Sequence, residues 1–268
     1  MADRAAIVAD LADELADLRA LLADLPSDAW TRPTPAEGWT IRDQVSHLAY
    51  FNDRAVDALI APDAFRAHVD AVFAAPADHE LEDVRRGRST TPMDLVDWWS
   101  ASCSRLLEVA SAPVPSPRVP WYGPEMSVAS LVTARLMETW AHGQDVADAV
   151  GVVRTPTDRL RHVCHLGLRA LPFSYATRGR SVPPVAVRLE LVGPDGTVWS
   201  MGDPEAVEVV SGSALGFALV VTQRRHRDDT DVRAHGPVAD EWVSLAQAFA
   251  GPPGPGRPPS LDPGLSVP

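Results

Sequence analysis

Apolar residues recur at three- and four-residue steps at Ile7, Leu11, Leu15, Leu18, Leu22 and Leu25, which predicts an amphipathic helix stopped by Pro26. A second stripe, Ile41, Val45, Leu48, Phe51 and Val56, predicts another helix, with Thr40 as its cap and Gly38 and Trp39 closing the preceding loop. Thr91 followed by Pro92, with Asp94 in the first turn, predicts the start of a third helix running to Leu107. The proline-rich stretch 113–124 cannot be helical, because proline lacks the amide donor and restricts its predecessor. A fourth helix is predicted from near Ser127 to near Gly151, and a fifth after Thr155 and Pro156 through Leu160, Val163, Leu166, Leu168 and Leu171.

Beyond residue 178 the period changes from 3.6 to 2. Val185, Val187 and Leu189 alternate with polar neighbours, a Gly-Pro-Asp-Gly turn occupies 193–196, and 197–200 reads as the return strand. Residues 207–210 predict a further strand, 213–222 an apolar helix and 241–249 a closing helix. The expected organisation is therefore α+β: a helical domain over 1–178, a small α/β domain over 179–250, and a disordered Pro/Gly-rich tail over 251–268.

With 46% hydrophobic and 22% charged residues, the chain has enough apolar side chains for a packed core. A net charge of -12, with arginine as the only cationic side chain besides histidine, argues against nucleic acid and anionic membranes as partners. Cys103 and Cys164 sit in apolar helical patterns rather than in a metal or redox spacing, which fits a reducing compartment. The acidic N-terminal stretch lacks the basic region of a signal peptide, and no apolar run reaches the ~18 residues of a membrane span, so the expectation is a cytoplasmic protein, monomer or homodimer.

Glu138 and His142, four residues apart on the fourth helix, project in nearly one direction and form a bidentate pair; His47 on the second helix supplies a third donor. Two histidines and one glutamate with an open position suit catalytic zinc. The spacing alone equally suits a surface ion pair, and His47 alone a hydrogen-bonded core histidine. Asp43 and Asp145, each one turn from a histidine, are candidates to orient the imidazoles, or else solvated charges.

The segment 35–48, Pro-Ala-Glu-Gly-Trp-Thr-Ile-Arg-Asp-Gln-Val-Ser-His-Leu, and the segment 138–145, Glu-Thr-Trp-Ala-His-Gly-Gln-Asp, resemble the two metal-binding motifs of the DinB-like superfamily, within it the actinobacterial mycothiol-dependent maleylpyruvate isomerase group. The resemblance implies a four-helix bundle whose ligands are His47, Glu138 and His142, followed by a small sterol-carrier-like α/β domain. It also implies a divalent metal, Zn2+ first, and mycothiol as a thiol cosubstrate acting on a small electrophilic substrate by isomerisation or S-transfer. The run 222–227, Thr-Gln-Arg-Arg-His-Arg, resembles the place where these relatives bring a basic residue to the metal cleft. On that basis Arg224, Arg225 and His226 are candidate catalytic residues and Arg227 a candidate cofactor-binding residue, with an exposed basic loop as the bland alternative; Trp121 and Tyr122, in the proline-rich segment just before the ligand-bearing helix, are candidate cofactor-binding residues that would wall the cleft, with exposed loop aromatics as theirs. Two other functions fit the same residues: a non-catalytic metal- or small-ligand-binding protein, and a thiol-independent metal hydrolase.

Overall fold

The structure, a computed structural model, describes residues 3–74, 82–114, 116–254 and 256–260. The chain forms two compact units, 1–154 and 155–268.

In the first unit α1 spans Arg4–Ala23, with Asp3 accepting from the Ala5 amide at its start. α2 spans Ile41–Ile60, α3 Pro62–Ala74, α4 Glu82–Ser89 and α5 Pro92–Ser111. A two-residue hairpin, β1 Arg118–Val119 and β2 Met126–Ser127, leads into α6, Val128–Val150. Helix α6 ends where Gly151 turns left-handed at φ 72°, a conformation that a side chain would disfavour. Helices α1, α2, α5 and α6 pack pairwise and bury Leu11, Leu18, Ile41, Leu48, Leu95, Trp99, Leu131 and Leu136 almost completely. Each such side chain contributes about 1.5 to 3 kcal/mol of burial. The helical stripes read from the sequence are these faces. Helices α3 and α4 were not expected: α4 carries five charged residues out of eight and buries Val84 as its sole large apolar side chain, so it has no stripe to read.

In the second unit α7, Leu160–Arg169, and α8, Leu171–Ala176, precede a four-stranded sheet of β3 Val187–Val192, β4 Val198–Met201, β5 Glu208–Ser213 and β6 Arg233–His235. The order is β4-β3-β5-β6; β3 and β5 run parallel, and the other pairs are antiparallel. Helices α9, Ala214–Val221, and α10, Pro237–Leu245, complete the unit.

The compact units divide after Arg154. The fifth predicted helix, which is α7 and α8 broken at Ala170, packs on α9 and α10; Gly167 lies so close to α9 that a Cβ there would stand 2.9 Å from a Val221 methyl. The switch to period 2 thus falls inside the second compact unit. The closing helix starts at Pro237, four residues before the expected 241. The tail is not structureless as far as Ser260, whose amide donates to both carboxylate oxygens of Asp229 at 2.9 Å; residues 261–268 lie outside the described residues. No described helix is long and apolar enough to cross a membrane.

Candidate metal centre

Helix α2 begins where the Asp43 carboxylate accepts from both the Thr40 amide and the Thr40 hydroxyl, at 2.8 Å each. Arg88 Nε, at 3.1 Å, takes the other oxygen of Asp43, so this aspartate secures the helix start and the α4 end rather than His47. The partner of His47 is Asp83, on α4: His47 Nδ1 lies 2.7 Å from Asp83 Oδ2. Helix α4 is held there because Ser46 Oγ donates to the Asp83 carbonyl at 2.5 Å. Burial alone would raise the Asp83 carboxyl, but its hydrogen bond to His47 and the His47 charge outweigh it and hold the group below the usual carboxylate range.

On α6, Glu138 and His142 lie one turn apart with Oε2 and Nε2 separated by 3.2 Å. His142 Nδ1 is 2.5 Å from Gln44 Oε1, and Gln44 Nε2 donates to Thr34 Oγ1 at 2.8 Å. That amide orientation makes Gln44 Oε1 an acceptor, so Nδ1 of His142 carries a proton, and Nε2 is the ring nitrogen that faces Glu138. Asp83 engages Nδ1 of His47 in the same way. Burial would raise the Glu138 carboxyl, but the His142 hydrogen bond and the charges of His142, His47 and Arg135 pull it down to about 2. Arg135 is itself buried, donating from Nε to Asn52 Oδ1 at 3.1 Å, and burial lowers its pKa.

One donor atom from each of His47, Glu138 and His142 lies within 4.8 Å of the other two. Ligands of a tetrahedral zinc stand roughly 3.3 Å apart, given bonds of about 2.0 to 2.2 Å. The Glu138 and His142 donors already have that separation. Two imidazoles and a persistent carboxylate therefore fit a divalent ion after modest inward movement of side chains.

The surroundings are aromatic. Trp39 stacks on His142 with centroids 5.9 Å apart, and Phe51 lies 4.5 Å from His47. Trp121 and Tyr122, from the proline-rich connection, are half-buried against Phe51 at 6.3 and 5.5 Å, and Trp121 stacks on Phe65. Tyr122 Oη lies 3.2 Å from His68 Nε2, with Tyr50 Oη 3.4 Å from the same nitrogen. Burial, with Glu82 nearby, pushes Tyr50 up to about 12, and burial raises Tyr122 as well, so both phenols keep their protons at neutral pH.

Asp83, Gln44 and Arg135 escaped the sequence reading. Asp83 is 36 positions from His47, and Gln44 is 98 from His142, distances that no local spacing rule spans. The Thr40-x-x-Asp43 signature of a capping box was the one available clue, in that it gives Asp43 a different task.

The basic run belongs to the second unit. Arg224 Nη1 donates to the Thr222 carbonyl and Arg225 Nη1 to the Arg224 carbonyl, at 2.6 and 2.8 Å. His226 Nδ1 accepts from the Asp228 amide at 3.2 Å, and Arg227 pairs with Asp240 at 2.8 Å.

A family profile described as the mycothiol maleylpyruvate isomerase N-terminal domain matches residues 11–147, the span that holds all three donors. Uncharacterized proteins from two strains of Mycobacterium tuberculosis are each 44% identical over 257 residues, covering 96% of this chain and 100% of their own. Crystal structures of the mycothiol-dependent maleylpyruvate isomerase, one of them of a mutant, superpose with a TM-score of 0.57 at 18% identity, covering 87% of this chain and 92% of theirs. At that identity the likeness is one of fold: a helical N-terminal domain followed by an α/β region.

Proposed function

The chain belongs to the mycothiol maleylpyruvate isomerase N-terminal domain family, and on that premise we propose that it is an enzyme using mycothiol to isomerise a small electrophilic substrate at a divalent metal, zinc first, held by His47, Glu138 and His142. The observation that carries this reading is the convergence of the three donors, with each histidine Nδ1 engaged by its own partner. When bound there, the ion supplies a Lewis acid that keeps a thiol ionised at neutral pH.

The protein has no nucleophilic thiol to offer in its place. Burial pushes Cys103 up to about 12 and raises Cys164 further, so both stay protonated and inert. On this reading the thiol comes from mycothiol, which would supply a sulfur nucleophile for reversible addition to a double bond conjugated to a carbonyl, so that the bond could rotate before the thiolate leaves unchanged. Asp83 and Gln44 hold the imidazoles at Nδ1, Glu138 stays anionic, and Trp39 and Phe51 keep water from the reacting face.

The test is the purified full chain with maleylpyruvate, with and without mycothiol, monitored for cis-to-trans conversion. Turnover that requires both the metal and mycothiol is the expected result. Failure of metal-loaded protein to bind mycothiol in a calorimetric titration, or substrate hydrolysis without thiol, would overturn the reading in favour of a binding protein or a metal hydrolase respectively.

A further inference from the structure

The second unit contains a cavity of about 290 Å3 that shares no residue with the metal centre. Its volume stands at the lower end of the ~300 to 1,000 Å3 typical of small-molecule sites. The floor is apolar: Val220 from α9, with Val243 and Ala246 at the end of α10, all buried. The rim carries three guanidinium groups, of Arg178, Arg227 and Arg257, and the imidazole of His226, in a chain whose net charge is -12.

Local structure places those groups. After α9 the chain turns at Gln223, whose φ of 59° makes it the sole non-glycine residue with positive φ among the described residues. Such strain persists only where surrounding contacts hold it, and it gathers at ligand sites. The turn carries 223–227 over the floor. His226 accepts the Asp228 amide at Nδ1, which leaves Nε2 as its other polar atom. Arg227 is paired with Asp240, a carboxylate that is itself largely exposed and therefore screened. Arg257 comes from the C-terminal segment. It is half-buried, whereas the other described residues of 251–260 are exposed, so the segment turns this one side chain inward before Ser260 fastens it to Asp229. Arg178 donates one bond to the Ser174 carbonyl at 3.1 Å; burial and then the nearby Arg180 disfavour its charged form, a cost that a bound anion would offset.

We propose that this cavity binds a small organic carboxylate, its apolar body against Val220, Val243 and Ala246 and its carboxylate against Arg178 and Arg257. The floor selects against inorganic anions, and the guanidinium pair selects against neutral ligands, because a planar fork matches a carboxylate bidentately. This gives His226 and Arg227 a place beside a ligand of the second unit, which is a different task from the metal-cleft roles expected of them.

The probe is 4-fluorobenzoate, titrated against the full chain with 19F NMR line broadening as the readout, beside inorganic phosphate and the neutral 4-fluorobenzyl alcohol. We expect saturable benzoate binding that is unchanged after the metal is stripped with chelator. Binding should be weakened about tenfold or more for the alcohol, for phosphate, for Arg178→Gln/Arg257→Gln, and for the single Arg257→Gln, which changes a segment outside the unit's core. Equal binding of benzoate and alcohol, binding retained by the variants, binding lost with the metal, or no saturable binding would each overturn the proposal. Because the readout is indifferent to the metal and to mycothiol, its failure is separable from failure of the isomerase reading.

Discussion

His47 and His142 are each tied at one ring nitrogen, to Asp83 and Gln44, and this decides which nitrogen is left for a metal. Asp83→Asn should therefore leave the donors in place yet weaken metal affinity about 10- to 100-fold, as measured by competition with a chromophoric chelator. Unchanged affinity would show that Asp83 does not orient His47. Glu138 gives a pH prediction. Its folded pKa of about 2 lies below the ordinary 4.5, so its contribution to stability is present above pH 4.5 and is lost as the pH falls through about 2. Urea melts of metal-free protein over that window should show the acid-side loss, and Glu138→Gln should flatten it. The three donors were legible because two share a helix face and the third lies in a recognisable motif. Their partners were not legible, since a hydrogen bond across 36 or 98 residues exists only once the helices are packed.

Helix α4 carries Asp83, the partner of His47, and is an element the sequence concealed. Its short, charged run offers no periodicity, and its place is fixed by close approach to α2: a Cβ on Gly87 would stand 2.4 Å from Ser46 Cβ. Gly87→Ala should force the helices apart, costing about 1 to 3 kcal/mol of stability by overpacking, and should also weaken metal binding because Asp83 moves with α4. Chemical denaturation together with chelator competition checks both; loss of stability without loss of affinity would detach α4 from the metal site. By contrast α1, α2, α5 and α6 were readable to within a few residues, because each buries a long apolar stripe and begins at a capping residue. Strand β6, three residues long, is held by pairing with β5 and carries no pattern of its own.

Across the whole chain the sequence conveys the order of helical and mixed parts, while α7, which resembles a bundle helix in isolation, is assigned by what it packs on. The first unit, closed by Arg154 pairing with Glu14 and donating to the Trp140 carbonyl, contains the entire donor set. Binding of an ion to the folded state alone should stabilise the chain by about 2.7 kcal/mol at a free concentration one hundred times Kd. A rise of several degrees in the melting temperature of the native chain on adding zinc, absent in His142→Ala, is the expected outcome of calorimetry; an equal rise in the variant would place the ion elsewhere.

The central claim, that His47, Glu138 and His142 together hold one divalent metal, is tested most directly by elemental analysis of the purified chain beside His47→Ala and His142→Ala. The account predicts close to one equivalent of metal in the native chain and its loss from both variants. A native chain that stays metal-free after growth in metal-replete medium, or variants that keep a full equivalent, would contradict it.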